Sequence, residues 1–256
     1  MKFPRNIFMP YLVLGDPNYE ESIKLIKILI NNGAGALELG FAFSDPIADG
    51  PIIQRANKRA LENNMTTQKA FEILKVIRNY SSIPISLMLS FNIIYNYGVE
   101  KFYRKCSDLK INAILCPNIP LEESDELVKI ADKYKINQIF LISPSTTQER
   151  LANLRKVASG YIYLVSLLGT TGVRTELDEC LSDLIEKSKK YFDIPIYVGF
   201  GISKPEHVKN VLAFGADGAI CGSAICKLIE GNILDYKKMR EIVQEFCKNM
   251  CSGLKK

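Results

Sequence analysis

A (β/α)8 barrel is the fold class this sequence predicts, and three observations carry that expectation. Short apolar runs rich in β-branched residues recur eight times, at intervals of roughly 20 to 50 residues. The runs are almost continuously hydrophobic, as strands are when both faces of a parallel sheet are covered by helices. Between them lie segments with apolar residues at helical spacing, so strand and helix alternate along the chain. Eight such units in 256 residues match the size of a closed barrel of about 250 residues.

The expected strands are "IFMPYLVLG" (7–15), "ALELGF" (36–41), "PISLMLS" (84–90) and "NAILCP" (112–117). They continue with "QIFLIS" (138–143), "YIYLVS" (161–166), "PIYVGFG" (195–201) and "GAICGS" (218–223). Helices are read from spacing: Leu127, Ile130, Ala131 and Tyr134 share one face, as do Leu177, Leu181, Leu184 and Ile185. Extra helical material follows the second strand, where "QRANKRALENN" (54–64) precedes "TTQKAFEILKVIRNY" (66–80). More follows the eighth, where "AICKLIEG" (224–231) precedes "LDYKKMREIVQEFCKNM" (234–250). No unit closely copies the next, so one barrel domain over 1–256 is expected, not an array. The rival is an open, doubly wound sheet, which would carry a Gly-rich fingerprint after its first strand; this chain has "LGDPN" there.

The 47% hydrophobic content is ample for a large core. Lys and Arg total 33 against 28 Asp and Glu, a net charge of +5, without a basic run or a basic stripe interleaved with aromatics. Nucleic-acid binding is therefore not expected, while mild basicity suits small anionic substrates. The seven cysteines form no CxxC pair and several sit in apolar runs, which reads as reduced, structural thiols. With one histidine, His207, a His-based metal site is not expected either. No apolar run approaches the roughly 18 residues of a membrane span, and the N-terminal stretch is too short and too soon broken for a signal peptide. A cytoplasmic protein is the expectation.

Barrel active sites form at the C-terminal ends of the strands. Glycine clusters fall there after strands six, seven and eight: "GTTG" (169–172), "GFGIS" (199–203) and "GSA" (222–224), with "LGDP" (14–17) after strand one. Glycine lets backbone N–H groups approach an anion, and a helix starting at Ser223 would aim its positive end at the same point. A phosphate site is one reading; ordinary turn glycines are the other. Glu38 lies in the middle of the second strand among Leu37, Leu39 and Phe41. An ionised carboxylate there is costly, so its pKa should rise from about 4.3 toward neutrality, as a general acid/base needs. The alternative is a buried Glu paired with a cation on a neighbouring strand, and no assigned strand supplies one. Asp49 follows in a loop bounded by Pro46, Gly50 and Pro51, while Asp45 in "FSDP" suits a turn cap. His207, in the first turn of a helix, reads as a surface residue.

The segment "LELGFAFSDPIADGPIIQRA" resembles the signature segment of the tryptophan synthase α subunit family. The likeness continues through "MPYLVLGDP", "IPLEES", "GTTGVRTEL", "GFGISKPEHV" and "GADGAICGSAICKLIE", and so covers nearly the whole chain. It implies a (β/α)8 barrel that cleaves indole-3-glycerol phosphate to indole and glyceraldehyde 3-phosphate in L-tryptophan biosynthesis. It further implies a β subunit as partner in an α2β2 heterotetramer, with pyridoxal phosphate in that partner and no cofactor in this chain. By matching positions, the family's acid/base glutamate falls on Glu38 and its second catalytic carboxylate on Asp49. The phosphate-binding groups fall on Gly172, Gly201, Gly222 and Ser223. Tyr11, Leu115, Tyr163 and Thr171 match positions that line the indole pocket or order mobile loops, and Asp45 and Pro46 match a surface presented to the partner. Ala42, Ile93 and Asn118 stand where the family usually has Pro, Pro and Asp.

Overall fold

The computed structural model describes residues 2–165, 174–199 and 201–254. Eight parallel strands close into a barrel in chain order: β1 Ile7–Val13, β2 Leu37–Gly40, β3 Ile85–Met88, β4 Ala113–Leu115, β5 Asn137–Ile142, β6 Ile162–Val165, β7 Ile196–Gly199 and β8 Gly218–Cys221. All eight expected runs are strands. Most bounds fall inside the runs because the outer residues already belong to turns; β5 instead starts one residue early, at Asn137. Closure comes from β1 pairing with β8, Met9 beside Ile220, so no edge is left open.

The helices are α1 Tyr19–Asn31, α2 Pro51–Glu62, α3 Thr67–Tyr80, α4 Phe91–Tyr97, α5 Val99–Asp108, α6 Asp125–Tyr134, α7 Gln148–Leu154, α8 Arg174–Lys189, α9 Pro205–Ala213, α10 Ser223–Glu230 and α11 Tyr236–Cys251. The expected extra helices are α2 and α3 after β2, and α10 and α11 after β8. Two more, α4 and α5, share the β3–β4 connection, parted at Gly98 whose φ of 92° is left-handed. Side chains start several helices by accepting a bond from an otherwise unpaired N–H: Asn18 from Glu21, Thr66 from Lys69, Thr147 from Arg150. Among the described residues, no helix is long and apolar enough to cross a membrane.

Two cores result. The larger fills the annulus between strands and helices with Leu25, Ile26, Leu29, Phe71, Leu74 and Phe102 among many others. The smaller occupies the barrel interior and holds Phe3, Ile7, Met9, Leu115, Ile139, Tyr161, Tyr163, Tyr197 and Ile220. Phe3 seals its lower end edge-on to Tyr161, with ring centres 4.9 Å apart, and Tyr161 stacks on Tyr197 at 4.7 Å. Below them Arg5 binds Asp217 at 2.6 Å and the Asp193 carbonyl at 2.7 Å, tying the N-terminal segment to the turns before β7 and β8.

Arg78 performs a similar task on the lower rim. Its guanidinium faces the carbonyls of Leu109 (3.2 Å), Ser81 (3.1 Å), Ile83 (2.8 Å) and Lys110 (3.1 Å), and Asn112 Oδ1 at 3.4 Å. It thus joins the end of α3 to the turn before β4, in a place where partial burial lowers its pKa. Replacing it with Met leaves these acceptors to water at best. Arg78→Met should lower unfolding free energy by about 2–3 kcal/mol in chemical denaturation, and Arg78→Lys should recover only part of this, since an ammonium cannot face so many acceptors at once.

Candidate active site

Register places the candidate acid. Tyr11, Glu38 and Ser86 are lateral neighbours on β1, β2 and β3, so their side chains leave the sheet on one side, into the barrel. Glu38 is 1% exposed, and among the described residues it forms no ion pair. Among the described residues, therefore, no cation pairs with it as a purely structural carboxylate would need. Its neighbour is the Tyr161 hydroxyl, 3.3 Å from Oε1, which also lies 3.0 Å from Ser86 Oγ. Tyr161 and Ser86 each carry one hydroxyl hydrogen, so this chain can donate to a charged Glu38 or accept from a neutral one. Burial is the main cause that lifts the Glu38 carboxyl to about 8; the Tyr161 hydrogen bond opposes this and the charge of Asp49 adds to it.

Asp49 arrives from the loop after β2. Backbone bonds from Ile47 N–H to the Asp45 carbonyl (2.9 Å) and from Asp49 N–H to the Pro46 carbonyl (3.0 Å) wind this loop into a tight turn. Gly50 caps α2 in an extended conformation and Pro51 takes its first position, so helix begins at once behind Asp49. Asn57, 2% exposed on α2, holds the loop at both ends. It accepts from Phe43 N–H at 3.0 Å and donates to Asp49 Oδ2 at 3.3 Å and to the Ile53 carbonyl at 2.9 Å. Desolvation lifts Asp49 to about 6, against the lowering effect of the Asn57 hydrogen bond. Between about 6 and 8, the site therefore holds one neutral and one charged carboxyl.

Both carboxyls line a cavity of about 450 Å3 at the C-terminal mouth of the barrel. Tyr11, Tyr163, Gly201, Gly222 and Ser223 line the same cavity. Tyr11 lies against Gly40 and Tyr163 against Gly199; a methyl at either glycine would meet the tyrosine hydroxyl. Gly201 adopts a φ of 74°, which favours glycine. His207 does more than decorate the surface: its Nδ1 lies 3.3 Å from Ser203 N–H and 3.0 Å from the Gly201 carbonyl, steadying the turn that holds Gly201.

Other expected residues fall elsewhere. Leu115 is buried in the interior cluster and is not on this cavity's wall, where Met88, Pro117, Leu141, Val165 and Ile220 supply the apolar surface instead. Thr171 and Gly172 lie outside the described residues. Asp45 and Pro46 line a smaller cleft of about 120 Å3 that shares Tyr11, Asp49 and Met88 with the main cavity and takes in Ile47, which is 78% exposed. Asn118 there bonds Phe91 N–H at 2.9 Å and contacts Ser90 and Asn92, each at 3.3 Å. Ile93 is buried, and Ala42 packs against the outer core. Asn57, Tyr161 and Ser86 had no signal of their own in sequence beyond lying on elements that face the site. Among the described residues, no group of three or more His, Cys, Asp or Glu side chains is placed to share a metal ion.

The family model described as tryptophan synthase alpha chain matches residues 1–255. Tryptophan synthase alpha chain of Methanothermobacter thermautotrophicus is 44% identical over 93% of this chain and 88% of its own, and that of Photobacterium profundum is 41% identical over 97% and 93%. A chain from the tryptophan synthase α2β2 complex of Pyrococcus furiosus superimposes with a TM-score of 0.90 at 37% identity, covering 98% of this chain and 99% of that one. With a family match over nearly all residues and relatives this similar, the chain belongs to the tryptophan synthase alpha chain family.

Proposed function

We propose that this chain is a carbon–carbon lyase that cleaves indole-3-glycerol phosphate to indole and glyceraldehyde 3-phosphate, with Glu38 as general acid and base and Asp49 as the stabilising carboxylate. The observation that carries the residue roles is the presence in one cavity of two carboxyls, a fully buried Glu38 pushed up to about 8 and an Asp49 pushed up only to about 6. Neutral Glu38 gives its proton to indole C3, which turns the ring into an iminium cation. Asp49 accepts a hydrogen bond from the ring N–H and stabilises that charge. The Glu38 carboxylate then takes the proton of the hydroxyl on the adjacent side-chain carbon. The oxygen lone pair closes the aldehyde, the C–C bond breaks, and its electrons return to the ring as aromatic indole. Glu38 ends neutral, as it began, so one carboxyl serves both proton transfers.

The remaining walls suit the rest of the substrate. Apolar Met88, Leu141 and Ile220 with the rings of Tyr11 and Tyr163 would sandwich the indole. The start of α10 at Ser223, flanked by Gly222 and Gly201, offers N–H groups and a positive helix end to the phosphate. The resemblance adds Gly172 to this set. The neighbouring Pyrococcus furiosus chain comes from an α2β2 complex. By that likeness, Asp45, Pro46 and exposed Ile47 would face a β subunit, which would carry the pyridoxal phosphate and consume the indole, in the cytoplasm.

Incubating the chain with indole-3-glycerol phosphate and assaying indole tests the reaction. Glu38→Gln should keep the fold and lose at least about 10²–10⁴-fold in turnover; near-wild-type indole release would remove Glu38 from the mechanism. kcat/KM should follow a bell in pH, with an acid limb near 6 where Asp49 protonates and an alkaline limb near 8 where Glu38 loses its proton.

Linkage gives a second measurement for Glu38. Its folded pKa is raised, so the native state binds a proton that the unfolded chain releases above about 4.5, and stability falls as pH rises from there to about 8. Glu38→Gln has no such loss. Its stability relative to wild type should therefore grow by on the order of 3 kcal/mol between pH 5 and pH 8 in denaturant titrations; a pH-independent difference would contradict the raised pKa.

Adding a β subunit should accelerate indole release, because a partner that binds the ordered Asp49 loop favours the reactive arrangement. Equal rates with and without it would argue for a free-standing lyase.

A further inference from the structure

The reaction proposed above asks for two distant points to be held at a fixed separation: the phosphate cradle and the carboxylate that receives the indole N–H. Each point lies at the start of a helix. Asp49 lies two residues before α2 and is bonded to it through Asn57, while Ser223 is the first residue of α10. The two helices pack against each other, and a chain of four charged side chains joins them. Arg55 and Arg59, one turn apart on α2, both bind Glu230, the last residue of α10. Arg55 does so through two bonds of 2.6 and 2.9 Å, and Arg59 through one of 3.0 Å. The rest of the Arg59 guanidinium grips Asp16 bidentately at 2.8 and 2.9 Å. Asp16 is fully buried in the loop that follows β1, the strand of Tyr11.

A fork of this kind fixes angle as well as distance, and only guanidinium supplies it: an ammonium could satisfy Asp16 or Glu230 but not both in plane. The side chain of Arg59 is 14% exposed, so solvent screens the Asp16 bond little. A surface ion pair would add next to nothing, whereas this cluster references α2, α10 and the β1 loop to one planar group.

We propose that Arg59, through Asp16 and Glu230, is a positioning residue for the cleavage reaction, setting the separation between the phosphate subsite and Asp49. This rests on the functional reading given above. The residue touches no substrate; it acts by keeping Asp49 at the distance at which a substrate already held by its phosphate presents its ring N–H. Misplacement by about 1 Å is enough to cost on the order of 10²-fold in rate without loss of binding at the anchored end.

The test compares wild type, Arg59→Lys and Glu230→Gln, each with intact secondary structure by circular dichroism, on indole-3-glycerol phosphate and on inorganic phosphate as probe. Arg59→Lys should lower kcat by roughly ten- to a hundredfold while the Kd for inorganic phosphate stays within about twofold. The acid limb of its pH profile should move upward, because a displaced Asp49 loses the Asn57 bond that holds its proton affinity down. Glu230→Gln, which leaves the buried Arg59–Asp16 pair in place, should show the same split more weakly. Asn57→Ala combined with Arg59→Lys should cost no more than the larger single effect, since both act through Asp49. An active wild type beside an Arg59→Lys enzyme with unchanged kcat and acid limb, whatever its melting temperature, overturns the positioning role alone. A wild type that releases no indole overturns the reaction reading and the positioning role with it.

Discussion

A carboxyl group buried in the wall of a barrel, with no cation paired to it among the described residues, constrains everything around Glu38. Ionisation there is disfavoured, so the group keeps its proton to about 8, and its hydrogen-bond partner is the Tyr161 hydroxyl, which also bonds Ser86. The aromatic floor of Phe3, Tyr161 and Tyr197 closes the barrel beneath and keeps water from that side. A salt bridge at this position would have made the strand more conventional and the carboxyl inert as an acid. The native state instead carries an electrostatic cost at neutral pH, and the large outer core of packed helices is what makes that tolerable.

The second carboxyl follows the opposite rule. Asp49 sits on a short turn at the mouth, where burial is partial and an amide donor is provided, so it titrates about two units lower than Glu38. Two carboxyl groups thus take opposite protonation states chiefly through depth and hydrogen bonding. The coupling runs one way in practice: the charge that Asp49 keeps makes Glu38 hold its proton more firmly.

The strands and Glu38 were legible in the sequence because both are local signals. A parallel strand needs a run of apolar residues, and a Glu inside such a run is visible by contrast. The glycines at the mouth were legible in the same way, and Gly201, Gly222 and Ser223 do share one cavity. Contacts distant in sequence were not. Tyr161 stands 123 residues from Glu38, and Arg59 stands 171 from Glu230 and 43 from Asp16. Asn57 is harder still, because α2 reads as an ordinary amphipathic helix and a buried Asn looks the same on paper as an exposed one. Leu115, which the resemblance matched to positions that line the pocket or order loops, lies in the interior cluster that also supplies Tyr163 and Ile220 to the cavity.

The tyrosines at the cavity floor lead to a different kind of consequence. Tyr11 and Tyr163 each occupy the space of a missing methyl on the next strand, at Gly40 and Gly199. Tyrosine and glycine are therefore one unit of volume divided between two strands. Enlarging the glycine alone produces a collision, and shrinking the tyrosine alone produces a hole beside the reacting groups. The shape of this pocket can drift only in paired steps across neighbouring strands, and any search for altered substrate scope has to move along those pairs.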